Sequence, residues 1–126
     1  DAAANGVVFP PGVLEKANSL ADLHRRSVGT AIEAGVRIAM GTDSGVTPHG
    51  QNLRELSMMA GLGMKPAAVL EASTRSAAQL MGVDDELGTV ESGKAADLVL
   101  VDGDPYEFDT LADRIDGVWL RGVRVV

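Results

Sequence analysis

The stretch Val36-Arg37-Ile38-Ala39-Met40-Gly41-Thr42-Asp43-Ser44-Gly45, followed by Val46-Thr47-Pro48-His49-Gly50-Gln51-Asn52, decides how the chain is read. A short apolar run ends on a carboxylate, and a loop rich in Gly, Pro and His leads into a helix. A buried parallel strand delivers an acidic residue to the C-terminal mouth of an α/β barrel in this way, and the loops at that mouth build active sites. Upstream, Val13, Ala17, Leu20, Ala21, His24, Val28, Ala31 and Ile32 recur at three- and four-residue spacing. That pattern predicts one amphipathic helix after the breaker Pro10-Pro11-Gly12. Gly35 is placed to end it in a left-handed conformation, directly before a strand over 36–40. Helix, glycine stop and strand make the αβ half of a βαβ unit.

Downstream, Asn52 can cap a helix through about residue 60 with Leu53, Leu56 and Met59/Ala60 on its buried face, broken by Gly61 and Gly63. Pro66 suits the first turn of a helix over 67–72, and Thr74 can cap another over 75–81, ended by Gly82. In that last helix Ala77-Ala78 would let a neighbouring backbone approach closely. Beyond Gly82 the pattern changes to short β-type runs at 88–91, 97–101, 118–120 and 123–126, with Arg121-Gly122 where a tight hairpin turn belongs. Two portions result: helices and one strand over 1–82, and a small, mostly antiparallel β part over 83–126.

The chain has 126 residues, 45% hydrophobic, enough for a real core. A complete (β/α)8 barrel needs about 200 residues or more, so the expectation is the tail of an enzyme rather than a whole one. Asp1 at the start and the small, polar residues 1–6 argue against a signal peptide and suit a chain cut from something longer. No window approaches the roughly 18 apolar residues of a membrane span. The expected compartment is cytoplasmic. A net charge of −7 disfavours a nucleic-acid or anionic-membrane partner. With no cysteine, disulfides and thiolate metal sites are excluded, and with only His24 and His49 the imidazole donors are scarce.

Asp43 is the leading candidate for chemistry: a carboxylate at a strand end between Gly41 and Gly45 suits metal ligation or general-base work. The competing reading is a loop or cap aspartate bonded to backbone. His49, six residues on, could ligate a metal, bind a substrate carboxylate or shuttle a proton, against the alternative of a solvent-exposed loop histidine. His24 falls on the apolar stripe and reads as a core histidine, and Met58 and Met59 read as core filler. Lys94 lacks the glycine-rich phosphate-loop pattern and reads as a turn residue before a strand. Asp102, Asp104 and Asp109 lack calcium-loop spacing and read as a polar turn. Ser44 is not in a nucleophile elbow.

Four segments carry a resemblance in their order and spacing: Gly41 to Gly45, His49 to Leu56, Ala72 to Ala78, and Leu87-Gly88-Thr89-Val90-Glu91-Ser92-Gly93-Lys94-Ala95-Ala96-Asp97-Leu98-Val99. Together they resemble the C-terminal end of the amidohydrolase superfamily, most of all its imidazolonepropionase-related and Xaa-Pro dipeptidase-like branch, from about Leu14 onward. The resemblance implies an α/β fold, the C-terminal part of a metal-dependent hydrolase (β/α)8 TIM-type barrel plus the C-terminal strands of a small β-sandwich. It implies that Asp43 touches the metal and takes a proton from the attacking water, and that His49 points towards the substrate. Lys94 and Asp97 are then structural. The implied cofactor is a divalent metal, zinc, one or two ions, which lowers the pKa of a bound water. The family's His-x-His pair, mid-barrel Lys or Glu and two further histidines have no counterpart here, and Lys65 replaces the usual Thr before Pro66. The expected function is hydrolysis of a C–N bond in a small amide, cyclic amide or dipeptide by the complete protein, this chain alone being inactive. Expected partners are the small-molecule substrate, the N-terminal remainder of the barrel in the same or a separate chain, and further copies in a homo-oligomer. The alternative is a non-catalytic scaffold or interaction domain that has lost the metal-binding half.

Overall fold

Glycines set where three of the described helices stop in a computed structural model of the chain, which describes residues 12–42 and 49–126. Helix α1 (Val13–Glu33) ends with the Val36 amide bonded to the Ala31 carbonyl and the Gly35 amide to that of Ile32, both at 3.0 Å. Gly35 takes the left-handed conformation, φ 71°, that this double closure requires. Gly63 repeats the pattern after α2 (Arg54–Gly61), and Gly82 after α4 (Arg75–Met81). Between these two lies α3 (Pro66–Ser73), with Pro66 at its first position. Lys65 caps it with an extended backbone (φ −63°, ψ 140°), the conformation that a following proline favours. The helix positions match the sequence reading, but two of the caps work differently. The cap of α2 is Leu53 rather than Asn52, and Thr74 stands at the cap of α4 as expected but makes no side-chain capping bond, its Oγ1 donating to the Leu70 carbonyl at 2.7 Å.

The β part is a three-stranded antiparallel sheet in the order β1 (Leu98–Val101), β2 (Ile115–Leu120), β3 (Val123–Arg124), with a 3₁₀ helix (Phe108–Arg114) between the first two. Arg121 and Gly122 both have positive φ, 49° and 80°, as a two-residue type I′ turn demands. Leu98 pairs with Trp119, and the register slips at Leu100/Val101, bending the strand pair. Residues 88–91, expected as strand, are irregular. Gly88 there has φ 90°, and a Cβ on it would lie 2.6 Å from that of Ala78. The close approach expected of Ala77-Ala78 is this one, and it locks the segment onto α4 instead of into a ladder.

The core joins both portions. Leu56 and Met59 of α2, Val69 and Ala72 of α3, and Phe108 and Leu111 of the 3₁₀ helix form one buried cluster. Leu53 and Ala60 pack against it, as their helical spacing requires. Met59 is core, but Met58 is half-exposed at 52%, because the next residue along a helix turns about 100° away from the buried face. His24, expected in the core, is exposed, as are Leu20 and Leu23. The side chains of Val13 and Ala17 lie outside the described residues. The C-terminal part of α1 meets the rest of the fold at Gly29, where an added Cβ would lie 3.9 Å from the Leu62 carbonyl oxygen. On β1, Leu98, Val99 and Leu100 are all exposed, so both faces of this edge strand present apolar surface.

The segment predicted as a strand at 36–40 is extended but unpaired here. Among the described residues it has no ladder partner, and the described sheet is antiparallel. A parallel strand needs a neighbouring strand on its edge, and none of the described residues supplies one. Among the described residues no helix is long and apolar enough to cross a membrane.

Gly88→Ala is expected to lower stability by about 2–3 kcal/mol in chemical denaturation, since overpacking adds to a disfavoured φ. Ala78→Gly in the same chain should restore part of the loss. Absence of rescue would show that strain rather than the Ala78 contact dominates.

Candidate active site

Residues 36–42 approach the candidate site along the core. Ile38 and Met40 alternate inwards onto the buried cluster, and the Met40 amide donates to the Ala72 carbonyl at 3.0 Å. Arg37 Nη1 reaches Gln79 Oε1 at 3.4 Å on the α4 side. At the far end, Asn52 Nδ2 donates to Thr42 Oγ1 at 3.0 Å. The segment thus keeps a strand's alternation while its anchors come from the helices behind it. Asp43 lies outside the described residues, but its immediate predecessor, Thr42, is held by the residue that leads into α2.

His49 opens a turn completed by Gly50 (φ 86°) and is exposed. Among the described residues no group of three His, Cys, Asp or Glu could hold a metal ion. A shallow, open groove of about 360 Å³ between α2 and the 3₁₀ helix is lined by Ser57, Ala60, Tyr106, Glu107, Phe108, Asp109 and Thr110. It lies apart in sequence from the Asp43 loop and holds neither candidate residue.

The remaining motif residues are structural. Lys94 Nζ donates to the Asp84 carbonyl and to Thr89 Oγ1, both at 2.6 Å, with its side chain only 15% exposed. Asp97 Oδ1 accepts the Arg121 amide at 2.6 Å, and the Gly122 amide bonds to the Ala96 carbonyl at 2.9 Å. The Lys-Ala-Ala-Asp run therefore fastens the hairpin turn and the irregular segment to each other. Asp102 and Asp104 do form a polar turn, whereas Asp109, expected in it, lies in the first turn of the 3₁₀ helix. Arg114 Nη1 donates to the Asp102 carbonyl, and Nη2 to those of Asp104 and Glu107 at 2.9 and 2.8 Å. Sequence reasoning missed this arginine and the Asn52–Thr42 bond. Arg114 is separated from its turn by 7 to 12 residues, a distance that local spacing rules do not cover.

A family model described as "Amidohydrolase family" matches residues 1–125. The chain belongs to the amidohydrolase family. It is 40% identical over 102 residues to the imidazolonepropionase of Shouchella clausii, a match covering 75% of this chain and 23% of that protein. Among solved structures, a Xaa-Pro dipeptidase with bound methionine in the active site superposes with a TM-score of 0.84 at 38% identity, covering 92% of this chain and 29% of that one. The ochratoxinase of Aspergillus niger superposes with a TM-score of 0.76 at 27% identity, covering 97% of this chain and 29% of that one. This amidohydrolase chain spans under a third of the length of each of these relatives.

For the family motif at 93–97 the structure gives a stability role. Lys94→Ala should cost about 1–3 kcal/mol in denaturant melts, the usual scale for leaving acceptors of a charged donor unpaired. Turnover per folded molecule should be unchanged. A selective loss of kcat with unaltered stability would contradict the structural role.

Proposed function

We propose that the chain supplies the Asp43-bearing strand and the tail of a hydrolase that cleaves a C–N bond in a small amide, cyclic amide or dipeptide. The observation that carries this reading is the family match over residues 1–125 in a chain covering only 23–29% of its relatives. In the complete enzyme residues 36–42 take their place as the last strand of a (β/α)8 barrel over 1–82, and 83–126 form the C-terminal part of a β-sandwich. The remaining barrel strands come from outside residues 1–126, in the same or a separate chain. The apolar surface exposed on α1 and on both faces of β1 fits burial against such a remainder.

Asp43 is the general base. Water adds to the carbonyl carbon as the carboxylate takes its proton, and the same proton passes to the departing amine as the C–N bond breaks. A carboxylic acid and an amine result. His49, exposed at the end of the same loop, contacts the substrate. An imidazole there can pair with the carboxylate of a dipeptide or propionate-type substrate.

A metal needs more than this chain offers. Catalytic zinc takes three protein ligands as a rule, and Asp43 and His49 fall short of that number. The donor set does not fit a metal by itself, in keeping with the lack of any three-residue group among the described residues. A divalent metal, zinc in this reading, would draw its remaining ligands from outside residues 1–126.

In the complete enzyme, Asp43→Asn is expected to lower kcat about 10²–10⁴-fold, the usual contribution of a positioned base. Thermal stability should stay unchanged. The assay is product formation from a panel of cyclic amides and Xaa-Pro dipeptides, with metal content measured on the same preparation. Turnover that survives the substitution removes Asp43 as the base. An assembly that is metal-free and inactive on the whole panel would favour the non-catalytic scaffold.

A further inference from the structure

Two Asp-Gly pairs lie in the C-terminal portion, Asp102-Gly103 and Asp116-Gly117, and the fold holds them differently. A glycine after an aspartate has no Cβ to keep its amide nitrogen away from the aspartate Cγ. Gly117 is buried in β2 opposite Leu100, and a Cβ added to it would meet the Trp119 ring at 2.6 Å. Its peptide is locked in the sheet. Gly103 lies in an exposed bend just past β1, with φ 81°. Both groups that would react there are unengaged among the described residues. The Asp102 carboxylate has no hydrogen bond or ion pair, and the Gly103 amide has no acceptor. The backbone beside them is pinned: the Asp102 amide donates to the Arg114 carbonyl at 2.8 Å, and Arg114 Nη1 donates to the Asp102 carbonyl. Bonds from Nη2 to the Asp104 and Glu107 carbonyls and from Nε to Thr110 Oγ1 at 3.1 Å fix the guanidinium itself.

We infer that Asp102-Gly103 is a modification site, the place where this chain forms isoaspartate, and that Arg114 holds it shut. For the reaction, the peptide between the two residues must rotate about the Asp102 Cα–C bond, which carries the held carbonyl away from Nη1. The Gly103 nitrogen then bonds to Asp102 Cγ, and the carboxyl OH leaves with the amide proton as water. Water reopens the cyclic imide in either of two ways. Addition at Cγ returns aspartate. Addition at the Asp102 backbone carbonyl carbon leaves the chain running through Cβ and Cγ, with the α-carboxylate as a branch. The product lengthens the backbone by one atom and removes the carbonyl that Nη1 binds. The 3₁₀ helix that follows carries Phe108 and Leu111 into the core, so the damage reaches beyond the turn.

The test incubates the complete protein at neutral pH and follows isoaspartate at 102 and at 116, by enzymatic methyl transfer and by fragmentation mass spectrometry of the peptides. Arg114→Lys keeps the charge and loses the fork. It should raise isoaspartate at 102 about tenfold over wild type, the factor that one lost charge-assisted hydrogen bond puts on a local opening. The level at 116 should not change. Thr110→Val removes only the bond to Nε and should give a smaller rise, again at 102 alone. A rise at both sites in Arg114→Lys would mark general unfolding, and Thr110→Val then decides. Equal accumulation at 102 and 116 in Thr110→Val would overturn the inference. So would the same rate at 102 in wild type and both variants, or no isoaspartate at 102 in any of them.

Discussion

Everything at the candidate site depends on an extended segment that is held, among the described residues, without a ladder. Residues 36–42 have no strand beside them among the described residues, so their order comes from the surface behind them. Ile38 and Met40 rest on the cluster of Leu56, Met59, Val69, Ala72, Phe108 and Leu111. The Met40–Ala72 backbone bond fixes the register of that contact at a single point. A slip of one residue would turn Arg37 and Ala39 towards the core, and the buried face forbids it. Hydrophobic packing therefore fixes the alternation, and three polar anchors, from Gln79, Ala72 and Asn52, hold the line of the chain.

The two portions of the sequence meet in this same core. Phe108 and Leu111 come from the C-terminal portion yet complete the apolar cluster of α2 and α3. Gly88 makes a second junction by resting on Ala78 with no room for a side chain. The Lys94 and Asp97 bonds and the Arg114 clasp order the connections that deliver these residues. This arrangement gives the family's C-terminal motif a physical purpose that needs no part in chemistry: it fastens the β part so that its 3₁₀ helix can back Ile38 and Met40.

What was legible in the sequence was what local rules decide. Gly35, Gly63, Gly82 and the Arg121-Gly122 turn have positive φ where breaker and hairpin signals place them, and the buried face of α2 follows helical spacing. Less legible were features set by partners distant in sequence. The 3₁₀ helix at Phe108–Arg114 depends on Arg114 reaching back to three carbonyls, and residues 88–91 carry a strand-like composition that contact with Ala78 overrides. His24 falls on an apolar stripe whose first turns have little to pack against among the described residues, so spacing alone misjudged its burial. At the candidate site Asp43 lies outside the described residues and His49 is exposed in a turn, while Asn52, read from its spacing as a helix cap, turns its amide to Thr42. Spacing cannot tell to which of two nearby backbones or hydroxyls an amide will turn.

The central claim is that, within this chain, packing and point anchors are enough to order residues 36–42 before any neighbouring strand is added. Amide hydrogen exchange resolved by residue tests it most directly. The account predicts that the Met40 amide, bonded to Ala72, exchanges as slowly as the interior amides of α2 and α3, well behind Ala39 and Gly41 beside it. Fast exchange at Met40 while those helices stay protected would contradict it, because the segment leading to Asp43 would then be loose on an intact core.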